Sequence, residues 1–338
     1  MRMDRIIVAA FVVLVSTAIV GFSTGNTGAS FTGTTTNPNQ SWNTQNVTPP
    51  ASFTSATSAI AGRIDLVWTA TTSPAGSHTL TYLVLRGPVG GPYVQVGTTA
   101  GLTYSDTPGA DGTYEYVIQT KIAQGAGFFT SGNSAVKSNK SDRTAPVMSA
   151  TCNGGSCAGW FNGSVTFVVS GNDGAGVGMG TATTNVDAGG AITSAAPRTV
   201  TVSGESATHS VVYSGADAVG NASGNTSQTV KIDLTTPTTA GAFTVNLGQQ
   251  NGEADLTWTA GTDALSGVAG YLIRRATATT CPAATAANYP TNLTVGAVTA
   301  YTWTGLTSGT SYCFYIQTKD NAGNLSAASA LAGPIVPQ

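Results

Sequence analysis

The chain has 338 residues, which is enough for two or three domains of ordinary size. Asp, Glu, Lys and Arg make up only 8% of it and the formal net charge is −2, so we expect no nucleic-acid partner, because a phosphate backbone is bound by a basic surface. Thr, Val and Tyr are frequent whereas strong helix formers are scarce, which predicts β-structure.

The N-terminus has the features of an export signal. Two arginines precede the largely apolar run Ile6–Gly21, and small residues before Ser30 allow cleavage there. The run is long for a signal core but shorter than the roughly 20 residues that span a bilayer comfortably. Residues 1–29 are therefore predicted to be a signal peptide. The alternative is a retained signal-anchor, in which case residues 6–21 would be the membrane contact.

The next segment, residues 30–48, is rich in Thr and Asn and is predicted to be a linker. Its sequence FTGTTTNPN, which starts at Phe31, resembles the processing region of Gram-positive and archaeal surface or matrix proteins. Gly33 replaces the Asp that is usual there, and Trp42 stands at the final aromatic position. The resemblance implies a surface or matrix protein, and a plain polar linker is the alternative.

The two outer parts of the remaining chain follow one template. The matching segments are IDLVWTA (64–70) with ADLTWTA (254–260), YLVLR (82–86) with YLIRR (271–275), and IQTK (118–121) with IQTK (316–319). Between them, NDGAGVG and DAVGN correspond to TDALSGVAG and DNAGN. Proline-containing linkers separate segments of the size of one small β-sandwich. Short alternating runs, such as SVTFVV from Ser164, predict the strands.

The outer segments resemble fibronectin type III domains of bacterial exported proteins. Trp68 and Trp258 on the second predicted strand carry this resemblance, with SGVAGY before the third and G-T-x-Y before the sixth. The middle segment resembles a bacterial immunoglobulin-like domain. The resemblance implies an all-β chain of three tandem sandwiches, with modules at 49–141, 142–235 and 236–338. It leaves function open, because such sandwiches have many roles.

The loops Asp217–Asn221 and Asp320–Asn324 are either hairpin turns or calcium ligands. Gly supplies a positive φ and Asp bonds the turn backbone, as a tight reversal requires. Calcium needs six or more oxygens, whereas each loop offers one Asp. We interpret both loops as turns and predict no metal and no cofactor.

The four cysteines predict two disulfides in an exported chain. Cys281 lies in an insertion of the third module and Cys313 on its IQTK strand, so this pair would staple the insertion to the sandwich. Cys152 and Cys157 would close the small loop CNGGSC. A zinc site is the alternative for CNGGSC, but the chain has no second cysteine pair or histidine cluster to complete it.

Catalytic signatures are lacking, so we predict that the chain is not an enzyme. Of its two histidines, His209 stands in the position of a tyrosine corner, which favours a structural bond to the preceding turn. His78 has no acid or nucleophile nearby in sequence. No G-x-S-x-G sequence or phosphate-binding glycine loop occurs.

Two aromatic pairs are candidate ligand contacts. Phe128 and Phe129 fall at the tip of a predicted hairpin, and Trp160 and Phe161 follow the CNGGSC loop. Exposed aromatic pairs bind sugar faces, lipid surfaces or proteins. The alternative is that they cap a sandwich end or pack between modules.

These observations predict a non-enzymatic protein that is extracellular or displayed at the cell surface. Its function would be adhesion, display or matrix interaction, with a polysaccharide or a surface or matrix protein as partner. One alternative is an extracellular filament or matrix subunit, in which residues 34–48 add a strand to a neighbouring sheet. Another is a polysaccharide-binding accessory protein.

Overall fold

The structure, a computed structural model, describes residues 47–58, 60–72, 79–124 and 127–338. The predicted signal or anchor, nearly all of the 30–48 linker and His78 lie outside the described residues. The described chain is built of strands and connecting turns, which confirms the all-β prediction. Within these ranges, no helix has the length and apolar character needed to span a bilayer.

The described chain forms two compact units. One comprises the residues up to Thr144 together with Ala175–Val177, and the other comprises Ala145–Gly174 and Gly178–Gln338. The second unit contains two large hydrophobic cores and a smaller cluster around Tyr289, and the predicted boundary at 235/236 falls inside this unit. The division into three modules stays a prediction.

The described part of the first unit forms one pair of sheets around one core. Its strands are β1 (Phe53–Thr57), β2 (Ile64–Trp68), β3 (Leu80–Pro88), β4 (Val94–Thr99), β5 (Thr103–Asp106), β6 (Gly112–Gln124), β7 (Gly127–Thr130) and β8 (Lys137–Ser141). One sheet has the order β1-β2-β5, and the other has β4-β3-β6-β7 with β8 also paired to β6. Alternate residues of β2, from Ile64 to Trp68, point into the core against Tyr82 and Tyr116.

The second unit begins with a second sheet pair. Its strands are β9 (Val147–Cys152), β10 (Trp160–Phe161), β11 (Val165–Asn172), β12 (Met179–Val186), β13 (Ile192–Ala195), β14 (Arg198–Val202), β15 (Ser206–Asp217) and β16 (Thr226–Ile232). The sheet orders are β14-β11-β9 and β10-β16-β15-β12-β13. The turn from β14 to β15 therefore connects the two sheets. Phe167 and Tyr213 meet in the core with ring centroids 5.8 Å apart.

A third sheet pair completes the second unit. Its strands are β17 (Gly241–Leu247), β18 (Ala254–Thr259), β19 (Val268–Thr277), β20 (Thr291–Val295), β21 (Ala300–Trp303), β22 (Tyr312–Asp320) and β23 (Ala332–Ile335). The orders are β17-β18-β21 and β20-β19-β22-β23. Trp258 packs edge-on against Tyr271 at 5.2 Å, as Trp68 packs against Tyr82 at 5.5 Å in the first pair. The repeated sequence template thus forms the same core contact twice.

Candidate functional site

The pair Phe128–Phe129 lies on an exposed hairpin. The two side chains are 60% and 55% exposed on β7, which pairs with the end of β6. Phe128 is opposite Ala123 and Phe129 is opposite Ile122, so the two rings point to opposite faces of the hairpin. The Lys121 ammonium lies 4.2 Å from the Phe128 ring centroid. The result is an apolar tip with one aromatic on each side and a cation over one of them.

The pair Trp160–Phe161 is built into the second sheet pair. Both residues form β10, which pairs in parallel with β16, and both are half-buried. Phe161 packs against the core and its carbonyl accepts a hydrogen bond from the Asp233 amide. The Lys231 ammonium lies 5.7 Å from the Trp160 ring centroid. Phe161 is thus largely committed to packing, whereas Phe128 and Phe129 are open to a partner.

Both predicted disulfides are present. Cys152 pairs with Cys157, and Cys281 pairs with Cys313. The second bond fixes the β19–β20 connection over the outer face of its sheet. There Tyr289 is fully buried and meets Tyr315 at a centroid distance of 4.8 Å.

The first sheet pair has a different tether at the corresponding place. There the Tyr93 hydroxyl, in the β3–β4 connection, donates to the Glu115 carboxylate at 2.8 Å. Glu115 occupies the template position of Cys313, since the IQTK segments align. The same loop is thus held to the same strand by a hydrogen bond in one sheet pair and by a covalent bond in the other.

The two Asp-x-x-Gly-Asn loops are hydrogen-bonded turns. The Asp217 carboxylate accepts the amides of Val219 and Asn221, each at 2.9 Å. The Asp320 carboxylate accepts the amides of Gly323 and Asn324 at 2.6 and 2.7 Å. The glycines have φ values of 90° and 98°, which other residues rarely adopt. Each Asp therefore performs the predicted turn-closing role.

The second turn has carboxylate neighbours that sequence analysis did not anticipate. Oxygens of Asp233, Asp263 and Asp320 lie within 4.8 Å of one another. Asp233 comes from the linker DLTTP and accepts the amides of Thr235 and Ser266, while Asp263 accepts the amide of Gly267. Among the described residues of the third sheet pair, these three carboxylates are the group that could hold a cation.

Counting one Asp per loop missed this group because its members are far apart in sequence. The signal that could have found it is the recurrence of an Asp in each of three loops at one end of the module. Each of these carboxylates also accepts hydrogen bonds from backbone amides, and these bonds explain why the three lie close together without requiring an ion. The absence of a metal site stays a prediction.

His209 makes the bond to the preceding turn that its sequence position predicts. Its Nε2 lies 3.0 Å from the Gly204 carbonyl oxygen, five residues upstream. In the first sheet pair the Tyr114 hydroxyl donates to the Ala110 carbonyl at 3.0 Å, and in the third the Tyr312 hydroxyl accepts the Thr307 amide at 3.1 Å. His209 is thus a corner residue. Its other ring nitrogen contacts Asp187, so neither nitrogen is open to a substrate.

Comparison with curated proteins finds glucanases of Cellulomonas fimi. Endoglucanase B is 39% identical over 286 residues, covering 78% of this chain and 25% of the relative. Exoglucanase B is 31% identical over 277 residues, covering 78% and 23%. Exoglucanase A is 44% identical over 77 residues, covering 22% and 7%. The chain therefore spans about a quarter of the length of the first two relatives. No family model matches the chain.

Three solved structures illustrate what the fold of this chain is similar to. The FN1–FN3 domains of chicken CNTN1 match with a TM-score of 0.39 and 14% identity, covering 86% of this chain and 99% of that one. Domains A168–A170 of titin give a TM-score of 0.40 and 14% identity, covering 87% and 96%. An Fn3-like protein from Clostridium thermocellum is 28% identical at a TM-score of 0.23, covering 29% and 91%.

Proposed function

We propose that this chain is a non-catalytic, extracellular accessory part of a polysaccharide-degrading system, with a polysaccharide as its partner. The observation that carries the proposal is the similarity to two glucanases over 78% of the chain. One is named an endoglucanase and the other an exoglucanase. A region that resembles parts of both enzymes does not set the mode of cleavage, so its role is one that both enzymes require. Binding the polysaccharide is the simplest such role.

The Phe128–Phe129 tip is the proposed contact. An aromatic ring packs against the C–H face of a sugar, and such a ring contributes only if it is open to solvent in the free protein. Both rings are more than half exposed. Because they face opposite sides of the hairpin, we expect the tip to insert between neighbouring chains of an insoluble polymer. A flat strip along one chain would need both rings on one face.

Two further features support an extracellular role. Two disulfides among the described residues fit an oxidising compartment. The chain has few charged residues and many hydroxyl groups, so an uncharged glycan could bind its surface without removing water from many charges. Adhesion, display and filament formation use the same kinds of sandwich, but the glucanase relatives favour the polysaccharide partner.

The test is retention of the full chain on insoluble cellulose, xylan and chitin. We expect the wild type to be retained on at least one polymer and Phe128→Ala with Phe129→Ala to reduce the partition coefficient by at least about tenfold, since each lost ring contact contributes about 1 kcal/mol. The matched control is Val89→Ala with Val94→Ala, because these side chains are 65% and 61% exposed in the same unit.

Each outcome has a separate meaning. If the wild type binds no polymer, the proposed function is wrong. If the phenylalanine variant binds as well as the wild type and the valine variant, the polysaccharide partner stands but the contact lies elsewhere. Melting temperatures of all three proteins should agree, because none of the four side chains is buried.

A further inference from the structure

His209 occupies an unusual position between two acceptors. It lies on the inner face of β15 and is only 9% exposed. Its Nδ1 is 2.7 Å from a carboxylate oxygen of Asp187, and its Nε2 is 3.0 Å from the carbonyl oxygen of Gly204. A carbonyl and an ionised carboxylate can only accept hydrogen bonds. Both ring nitrogens must therefore carry protons for both contacts to be hydrogen bonds.

Deprotonation removes one of these two bonds. Imidazolium donates from both nitrogens, whereas neutral imidazole donates from one and presents a lone pair at the other. In the neutral form either Gly204 or Asp187 then faces a lone pair at hydrogen-bond distance. We propose that His209 is a pH-sensitive latch, which holds the β12–β13 turn to the β14–β15 turn when protonated and releases one of them when neutral.

The other charged groups nearby make contacts elsewhere. Glu205 follows Gly204, but its carboxylate accepts the Thr235 hydroxyl at 2.8 Å. Lys231, on the neighbouring strand β16, lies over Trp160, and Arg198 donates to the hydroxyls of Thr184 and Ser194. The adjacent strand β12 contains no ionisable side chain, and Asp217 closes the turn at the far end of β15. Asp187 is thus the charged partner.

The pKa shifts agree with the geometry. Burial lowers the pKa of His209, but the bonds to Gly204 and Asp187 outweigh it and raise the pKa above its ordinary value. The bonds from His209 and from the Ser210 amide lower the pKa of Asp187. The histidine's contribution to stability is therefore complete below about pH 6.5 and is lost as the pH rises through the folded pKa. The aspartate's contribution is present above about pH 4 and is lost as the pH falls through its folded pKa.

The two turns that His209 joins are placed so that its protonation state can affect the neighbouring structure. Asp187 and Ala188 have φ values of 47° and 57°, which are uncommon for residues other than glycine, so this turn depends on the contacts of Asp187. The β14–β15 turn connects the two sheets of the second sheet pair. Through Glu205 it also contacts Thr235, in the segment that leads to β17. Release should loosen this end of the sandwich and that segment without unfolding the core.

The deciding experiment is an NMR titration of the full chain. The chain has two histidines, so His78→Gln assigns the His209 signal by elimination and also serves as the control variant. We expect the His209 pKa to lie above 6.5, and amide exchange of residues 203–205 to accelerate at least about tenfold between pH 5.5 and 8 beyond the intrinsic change.

His209→Gln and Asp187→Asn test the mechanism. Glutamine cannot titrate, so the pH dependence of exchange at residues 203–205 should disappear in the first variant and weaken in the second. A His209 pKa at or below 6.5 in the wild type overturns the proposal without any variant. So does a pH dependence that His209→Gln leaves unchanged.

Discussion

Removing the Cys281–Cys313 disulfide should destabilise the third sheet pair more than removing Cys152–Cys157 destabilises the second. The first bond joins residues 32 positions apart and the second joins residues 5 apart. Constraint of the unfolded chain grows with loop length, which gives about 3.5–4 kcal/mol for the long loop and about 2 kcal/mol for the short one. Replacing each pair by two alanines makes the two variants chemically matched. We expect a difference of about 1.5 kcal/mol between their losses of unfolding free energy.

Guanidinium unfolding under non-reducing conditions measures both losses. Tryptophan fluorescence reports on the third sheet pair through the buried Trp258 and Trp303, and on the second through Trp160. Reduced wild type should reproduce the double loss. A loss below about 1 kcal/mol for Cys281→Ala with Cys313→Ala would refute the chain-entropy argument. It would mean that the packing of Tyr289 on Tyr315 already holds the loop, and Tyr289→Ala in the disulfide-bonded chain would then carry the larger cost.

Three further substitutions test the polar contacts. Asp106→Ala should cost about 2 kcal/mol in the first unit, because the 7% exposed carboxylate accepts both the Arg86 guanidinium and the Tyr116 hydroxyl at 2.8 Å. Asp65→Ala removes a more exposed ion pair with Arg63 and should cost less than about 1 kcal/mol in the same denaturation assay. If the Asp65 and Asp106 variants lose equal unfolding free energy, burial does not determine the strength of these contacts. Asp320→Ala should cost about 2–3 kcal/mol by leaving the amides of Gly323 and Asn324 without their acceptor, and accelerated amide exchange in that turn would locate the effect. An unchanged exchange rate there would show that the turn does not depend on the carboxylate.

The sequence repeat predicted which positions are equivalent, but not which partners the side chain at each position contacts. Arg86 and Arg275 stand at matching positions of the template. In the first sheet pair Arg86 bonds Asp106 and lies 5.2 Å from the ring centroid of Tyr114, whereas in the third Arg275 lies over the rings of Trp303 and Tyr312, at 5.1 and 5.0 Å from their centroids. Trp303 occupies the register position of Asp106, since each is opposite the first residue of its conserved strand segment. The arginine thus lies over a tyrosine in both sheet pairs, and its second partner is a carboxylate in one and a tryptophan in the other.

Sequence alone determined the features that depend on local order along the chain. Alternation of apolar residues produced the strands, glycine and aspartate produced the turns, and the position of His209 five residues after Gly204 produced its corner bond. Tertiary structure decided what depends on residues distant in sequence. It brought Asp187 to the second nitrogen of His209, gathered Asp233 and Asp263 around Asp320, and packed Phe161 against the core while leaving Phe128 exposed. The physical reason is that periodicity fixes which face of a strand a side chain occupies, whereas its neighbours across a sheet or between loops are fixed only when the chain closes on itself.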